Sequence, residues 1–166
     1  MLTLGNRGAR LLPLVLLAGT CLAQNPEAAK FYKLDFVVKE VEGAKVLNAR
    51  SYSMIASTDK SGQPGSIRAG SKVPYTTGGG QFNYVDVGVN IDCRSLQELA
   101  GELSMFISAE VSSTVQDQPP PNPIIRQNRW NSNIAIPLRK PTTVFSSDDL
   151  TTKRQMQLEV TATPLK

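Results

Sequence analysis

Apolar and polar residues alternate with period two over most of the chain, the signature of strands with one buried face. In FYKLDFVV (31–38) Tyr32, Leu34, Phe36 and Val38 share a face, with Lys33 and Asp35 opposite. Glu42-Gly43-Ala44 marks a turn, and a second strand over 45–57 carries Val46, Tyr52, Met54 and Ile55. TDKSGQPGS (58–66) reads as a loop from its Gly, Pro, Ser and Asp content. IRAGSKVPYTT follows as a short strand broken at Gly70.

The next segment, GGGQFNYVDVGVNIDC, alternates most regularly. Val85, Val87, Val89 and Ile91 lie on one face, with Asp86, Gly88, Asn90 and Asp92 on the other. KVPYTT and FNYVDVGVNID therefore predict adjacent antiparallel strands, with Gly78–Gly80 supplying the turn. Phe82 and Tyr84 are out of phase with Val85 onward, which predicts a bulge or a change of packing side near Tyr84. Phosphate-cradling glycine loops run from a strand into a helix N-terminus. This one runs into a strand.

Residues 95–101 read as a loop or one helical turn. A strand over 102–113 places Leu103, Met105, Ile107, Ala109 and Val111 on one face. The proline-rich TVQDQPPPNP cannot sustain a ladder. Further strands are predicted over 124–138, at TTVFSS, and at RQMQLEVTATP, where Met156, Leu158, Val160 and Ala162 align. Asp148-Asp149 marks the turn between the last two. The expected fold is mainly β: one antiparallel sandwich or twisted-sheet domain over 31–166, after a polar lead-in over 24–30.

Residues 1–23 read as a secretory signal peptide. Arg7 and Arg10 form a basic start without acids, LLPLVLLAG a short apolar core, and Cys21 and Ala23 the small residues before a cut at Gln24. The apolar run is too short to span a bilayer, which needs about 20 apolar residues. Lipid-anchored bacterial proteins place a cysteine directly after a Leu-Ala-Gly box. Here Leu17-Ala18-Gly19 is followed by Thr20, so Cys21 is offset by one. The expected location is exported: periplasmic, outer-membrane associated or secreted. After the cut only Cys93 remains, which excludes an internal disulfide. Two readings of Cys93 stand: a buried apolar residue or a reactive thiol.

The chain carries 18 Lys+Arg and 14 Asp+Glu. Loss of Arg7 and Arg10 leaves a nearly balanced, interspersed set, which does not predict a nucleic-acid partner. There is no histidine. That removes the commonest general base and metal ligand, and with them the Ser-His and Cys-His triads. Paired carboxylates occur at Glu98/Glu102 and Asp148/Asp149. Both read as solvated polar segments, although a calcium site at Asp148-Asp149 has some support in clustered oxygens. No catalytic, metal or cofactor site is predicted, and the chain reads as a non-enzyme.

RQNRW (126–130) is the candidate for recognition. Arg126 and Arg129 flank the only tryptophan, Trp130, and Arg with Trp is enriched at interface hot spots. By alternation Arg126, Asn128 and Trp130 share a face, with Arg129 opposite. Either Trp130 belongs to an exposed protein-interaction patch, or it fills the core with the arginines in water.

The blocks GSKVPYTT, QFNYVDVGVNID, ISAEVSS and PIIRQNRWNSNIAIPLRKPTTVF resemble the C-terminal β module of bacterial secretins, the outer-membrane proteins of type II and type III secretion and of type IV pili. The resemblance covers roughly 70–145. The Gly-Gly-Leu and Pro-x-Leu-Gly runs that follow in secretins have no counterpart in 145–166, and neither the ring domains nor the pore lip is matched. The resemblance implies a β topology, an envelope setting and a role in binding or assembly. The implied partner is another envelope protein, joined by β-strand addition. The alternative is a reduced secretin-type component that oligomerises in the outer membrane, associating with it by means other than a transmembrane helix.

Overall fold

The computed structural model describes residues 28–59, 64–77, 80–114, 123–149 and 152–166. The signal peptide, the start of the lead-in and most of the proline-rich loop lie outside the described residues. Eight strands follow one another: β1 (Phe31–Glu42), β2 (Lys45–Ser57), β3 (Gly65–Thr77), β4 (Gln81–Leu99), β5 (Glu102–Thr114), β6 (Ile125–Pro137), β7 (Thr142–Asp148) and β8 (Arg154–Pro164). No helix is long and apolar enough to cross a membrane among the described residues.

The strands form two four-stranded sheets, ordered β2-β1-β8-β7 and β3-β4-β5-β6, with every ladder antiparallel. This is the predicted mainly-β class, resolved as two sheets packed face to face. The registers bring the facing ends of four strand pairs, β1/β2, β3/β4, β5/β6 and β7/β8, to one end, the hairpin end. The end of β2 and start of β3, and likewise β4/β5 and β6/β7, lie at the opposite, crossover end.

Alternation builds the core between the sheets. Tyr32, Leu34, Phe36 and Val38 of β1 and Leu158, Val160 and Ala162 of β8 point inward from one sheet. Val89, Ile91 and Cys93 of β4, Leu103 to Val111 at odd positions of β5, and Trp130 and Ile136 of β6 meet them from the other. Burying each large side chain contributes about 1.5–3 kcal/mol, so this cluster dominates folding. Gly43 makes the β1–β2 turn at φ +58°, where a side chain would strain the backbone.

Three local expectations are corrected. β3 is not broken at Gly70: it runs in unbroken register with β4, from Gly65↔Cys93 to Thr77↔Gln81. Gly70 marks a close backbone approach instead. Pro74 is tolerated because β3 is an edge strand, where a missing N–H breaks no second ladder. Residues 95–99 are neither loop nor helix but the end of β4, reached through a bulge between Arg94 and Gln97, with Ser95 at φ +57°. That bulge re-phases the strand so that Leu96 turns inward. There is no bulge at Tyr84. Phe82 and Tyr84 simply point outward with Asp86 and Asn90, in an alternation that the unbroken β3–β4 register carries to the end of the hairpin.

Candidate functional site

The sheet edges and the projecting hairpin are the surfaces that this architecture offers. β2 and β7 end one sheet, β3 and β6 the other. β3 and β6 each run for 13 residues, and among the described residues one side of each backbone ladder has no partner strand. An unpaired edge presents N–H and C=O groups in the spacing that another strand needs. The outward face of β6 carries Gln127, Arg129, Asn131 and Asn133, all exposed. That is a polar row on an edge, which favours selective over indiscriminate pairing.

β4 parts from β5 above the pair Val89↔Val111. Beyond it β3 and β4 continue as a two-stranded ribbon. Its outer face shows Phe82 and Tyr84, 68% and 64% exposed, paired in register with Thr76 and Pro74. Its inner face carries Val73, Tyr75 and Val85, only partly buried. The ribbon therefore carries apolar side chains on both faces, with the exposed Lys72–Asp86 ion pair beside Tyr84 on the outer one. The alternation places Phe82 and Tyr84 on the strand but does not show that they are exposed. The signal was present: two aromatics out of phase with the buried set.

The residues singled out in RQNRW do not form one patch. Trp130 is buried and stacks on Phe145 of β7, with ring centroids 3.8 Å apart and planes 4° from parallel. The stack joins the edges of the two sheets. Arg126 shares its inward-facing side and forms an ion pair with Asp149 at 3.2 Å. Arg129 lies on the outer face, where Nε and Nη2 donate to Glu110 Oε2 at 2.8 and 2.5 Å.

The remaining candidate chemistry is engaged structurally. Cys93 is fully buried and its thiol is pushed up to about 12, by burial first and then by the neighbouring charge of Asp92. A thiol held protonated in this way is a poor nucleophile. Glu98 and Glu102 do not pair. Glu98 Oε2 instead accepts from the Tyr32 hydroxyl at 2.5 Å and from Lys30 Nζ at 3.0 Å, tying the two sheets together at the crossover end. Asp148 accepts from Gln155 Nε2 at 2.9 Å, and Asp149 from the Thr152 N–H at 2.8 Å. No cluster of three or more metal-capable side chains occurs among the described residues.

No family model and no curated protein matches the sequence. Solved structures do. The chain aligns with the secretin InvG of the Salmonella SPI-1 type III secretion injectisome at TM-score 0.53 and 7% identity, over 83% of this chain and 64% of that one. The InvG secretin-domain β-barrel gives TM-score 0.51 at 7% identity, over 83% and 62%. ExeD of Aeromonas hydrophila gives 0.50 at 10% identity, over 82% and 47%. The chain has the secretin β fold. The likeness reaches well beyond the blocks over 70–145 that carry it in the sequence, so the fold is shared more widely than the motifs. The chain spans less than two thirds of the length of each of these secretins.

Proposed function

We propose that the protein is an exported, non-enzymatic envelope module that acts in binding or assembly, taking a partner's strand on an edge of the β3-β4-β5-β6 sheet. The observation that carries this reading is the pair of 13-residue edges, β3 and β6, on one open sheet. Main-chain pairing on such an edge supplies affinity, and side chains such as Arg129 and Asn131 supply selectivity. The absence of histidine from the sequence argues against acid–base chemistry. Export rests on the N-terminal signal pattern, with Gln24 as the first residue of the mature chain.

A second reading has its own support. The ribbon that exposes Phe82 and Tyr84 suits a lipid or protein contact, and InvG's secretin domain is a β-barrel. On this reading copies of the chain join edge to edge in the outer membrane.

Size-exclusion chromatography with light scattering, with and without detergent, separates the two. The module elutes as a small species without detergent and acquires mass only with envelope extract. A photo-crosslinker at Asn131 then captures the partner. A large detergent-requiring particle made of this chain alone favours the ring and overturns the module. Mass spectrometry of envelope-located protein checks the cut before Gln24, and an intact Met1 start refutes it.

A further inference from the structure

The inward faces of the strands change character along their length. Toward the crossover end they are apolar. Toward the hairpin end the same alternating positions become polar. On β1, Glu40 follows Val38. On β2, Arg50 and Asn48 follow Tyr52, in the pairs Val38↔Arg50 and Glu40↔Asn48. On β6, Asn128 and Arg126 follow Trp130. A sandwich fills such positions with apolar side chains, and breaks of that rule concentrate at functional sites.

These residues, with Asp149, line a cleft of about 180 Å³ between the sheets, with Val38, Val89 and Val111 in its lining. Two ion pairs neutralise most of its charge: Arg154–Glu40 at 3.0 Å and Arg126–Asp149 at 3.2 Å. Arg50 is left over. Among the described residues no acid pairs with it, and the side-chain amides of Asn48 and Asn128 make no hydrogen bond. The cleft thus holds one uncommitted guanidinium, two uncommitted amides and an apolar lining.

We propose that this cleft binds a carboxylate, with Arg50 pairing to its two oxygens and the Asn48 and Asn128 amides donating from either side. A planar guanidinium matches a carboxylate bidentately. One spare positive charge suits a monoanion. A phosphate dianion would leave one negative charge uncompensated beside Glu40 and Asp149, whose own charges are already taken up by Arg154 and Arg126. The valine lining favours a carboxylate on a short hydrocarbon stem, and the volume admits little more. Two sources share that chemistry: the acidic side chain of a peptide segment, and a free short-chain carboxylic acid. Arg50 and Asn128 stand on the edge strands β2 and β6, but they point between the sheets, whereas strand addition uses the outer main-chain side of an edge, so failure of this site leaves the strand-addition reading untouched.

The test is NMR titration of the full chain labelled with ¹⁵N. The probes are butyrate and a blocked Gly-Glu-Gly peptide, with butyramide and the blocked Gly-Gln-Gly peptide as neutral controls. Saturable shifts of the Asn48 and Asn128 side-chain amides and of Arg50 Nε are expected with a carboxylate probe alone. Tighter binding of the peptide than of butyrate identifies an acidic segment as the source, and tighter binding of butyrate than of the peptide identifies a free carboxylic acid. Arg50→Gln should weaken binding by about tenfold to a hundredfold, as loss of a charge-assisted hydrogen bond does. Arg50→Lys should lose less. Arg50 is exposed, so an unchanged melting temperature shows that the variant folds. Asn128→Ala is the second variant. No saturable shift with either carboxylate, equal shifts with the neutral controls, or wild-type affinity in Arg50→Gln overturns the proposal.

Discussion

Gly70 and Gly88 face one another across β3 and β4 with no room for a side chain on either. A Cβ on Gly70 would lie 2.3 Å from the Val87 carbonyl oxygen, and one on Gly88 would lie 2.1 Å from that of Ala69. Gly88 also sits at φ +151°. It is the residue at which β4 leaves β5: the Ser112 hydroxyl accepts from the Gly88 N–H at 3.0 Å, taking up a group that the ladder no longer pairs. Gly88→Ala is expected to cost about 2–4 kcal/mol from clash and strain together. Gly43→Ala, at φ +58° with open space around it, should cost only about 1 kcal/mol. Urea unfolding of the two variants checks the difference, and equal costs would remove the close approach as the reason for the pair.

The alternation of β4 is tested by three substitutions on one strand. Ile91 is fully buried, Val87 half-buried and Asn90 on the outer face. Ile91→Asp puts a charge into the core and should prevent folding. Val87→Asp lies where the opposite sheet no longer covers the strand, and should cost about 1–2 kcal/mol. Asn90→Ser should change stability by less than about 0.5 kcal/mol. A single value for all three would refute the register.

These contrasts show where the sequence is legible and where it stops. Period-two alternation fixes the faces of β1, β5 and β8, because one side of each strand is covered along most of its length. It says less about β4, where cover ends before the strand does. There an outward Phe82 carries no penalty that a pattern could register. Gly70 reads as a break in one dimension, since its reason, Gly88, lies on another strand. Trp130 among Arg126, Asn128 and Arg129 stays open between patch and core for a similar cause: Phe145, which covers it, comes from the other sheet. The polar inward positions Glu40, Asn48 and Arg50 are present in the sequence, but only register shows that they converge.

Acid should loosen the link between the sheets at Tyr32 and Glu98. The Tyr32 hydroxyl, and then Lys30, hold the Glu98 carboxyl below its ordinary value of 4.5. A depressed folded pKa contributes stability above that ordinary value, and the contribution is lost as pH falls through the folded one. Asp35 adds in the same direction, held down chiefly by its hydrogen bond from Ser53, with Lys33 assisting. The melting temperature should therefore fall as pH drops below about 4.5. In Tyr32→Phe and in Glu98→Gln the fall should be shallower. Thermal melts from neutral to acid pH decide, and an unchanged slope in Glu98→Gln would exclude this carboxylate as the cause.

Trp130 separates structure from recognition without any partner in hand. Its ring is 8% exposed and stacked on Phe145, and its indole Nε1 is buried with no hydrogen-bond partner among the described residues. Trp130→Ala should cost about 3–5 kcal/mol, as large aromatic truncations do. Trp130→Phe keeps a ring on Phe145 and removes an unpaired donor. Its loss of area is offset in part by that removal, so the cost should stay near 1 kcal/mol. Emission of the native protein should be blue-shifted and resistant to iodide. If emission is red-shifted and quenched, and Trp130→Ala melts like the parent but captures less partner, the indole belongs to an exposed patch with Arg126. If both variants melt as expected and capture is unchanged, the tryptophan closes the sandwich and recognition rests on the edges.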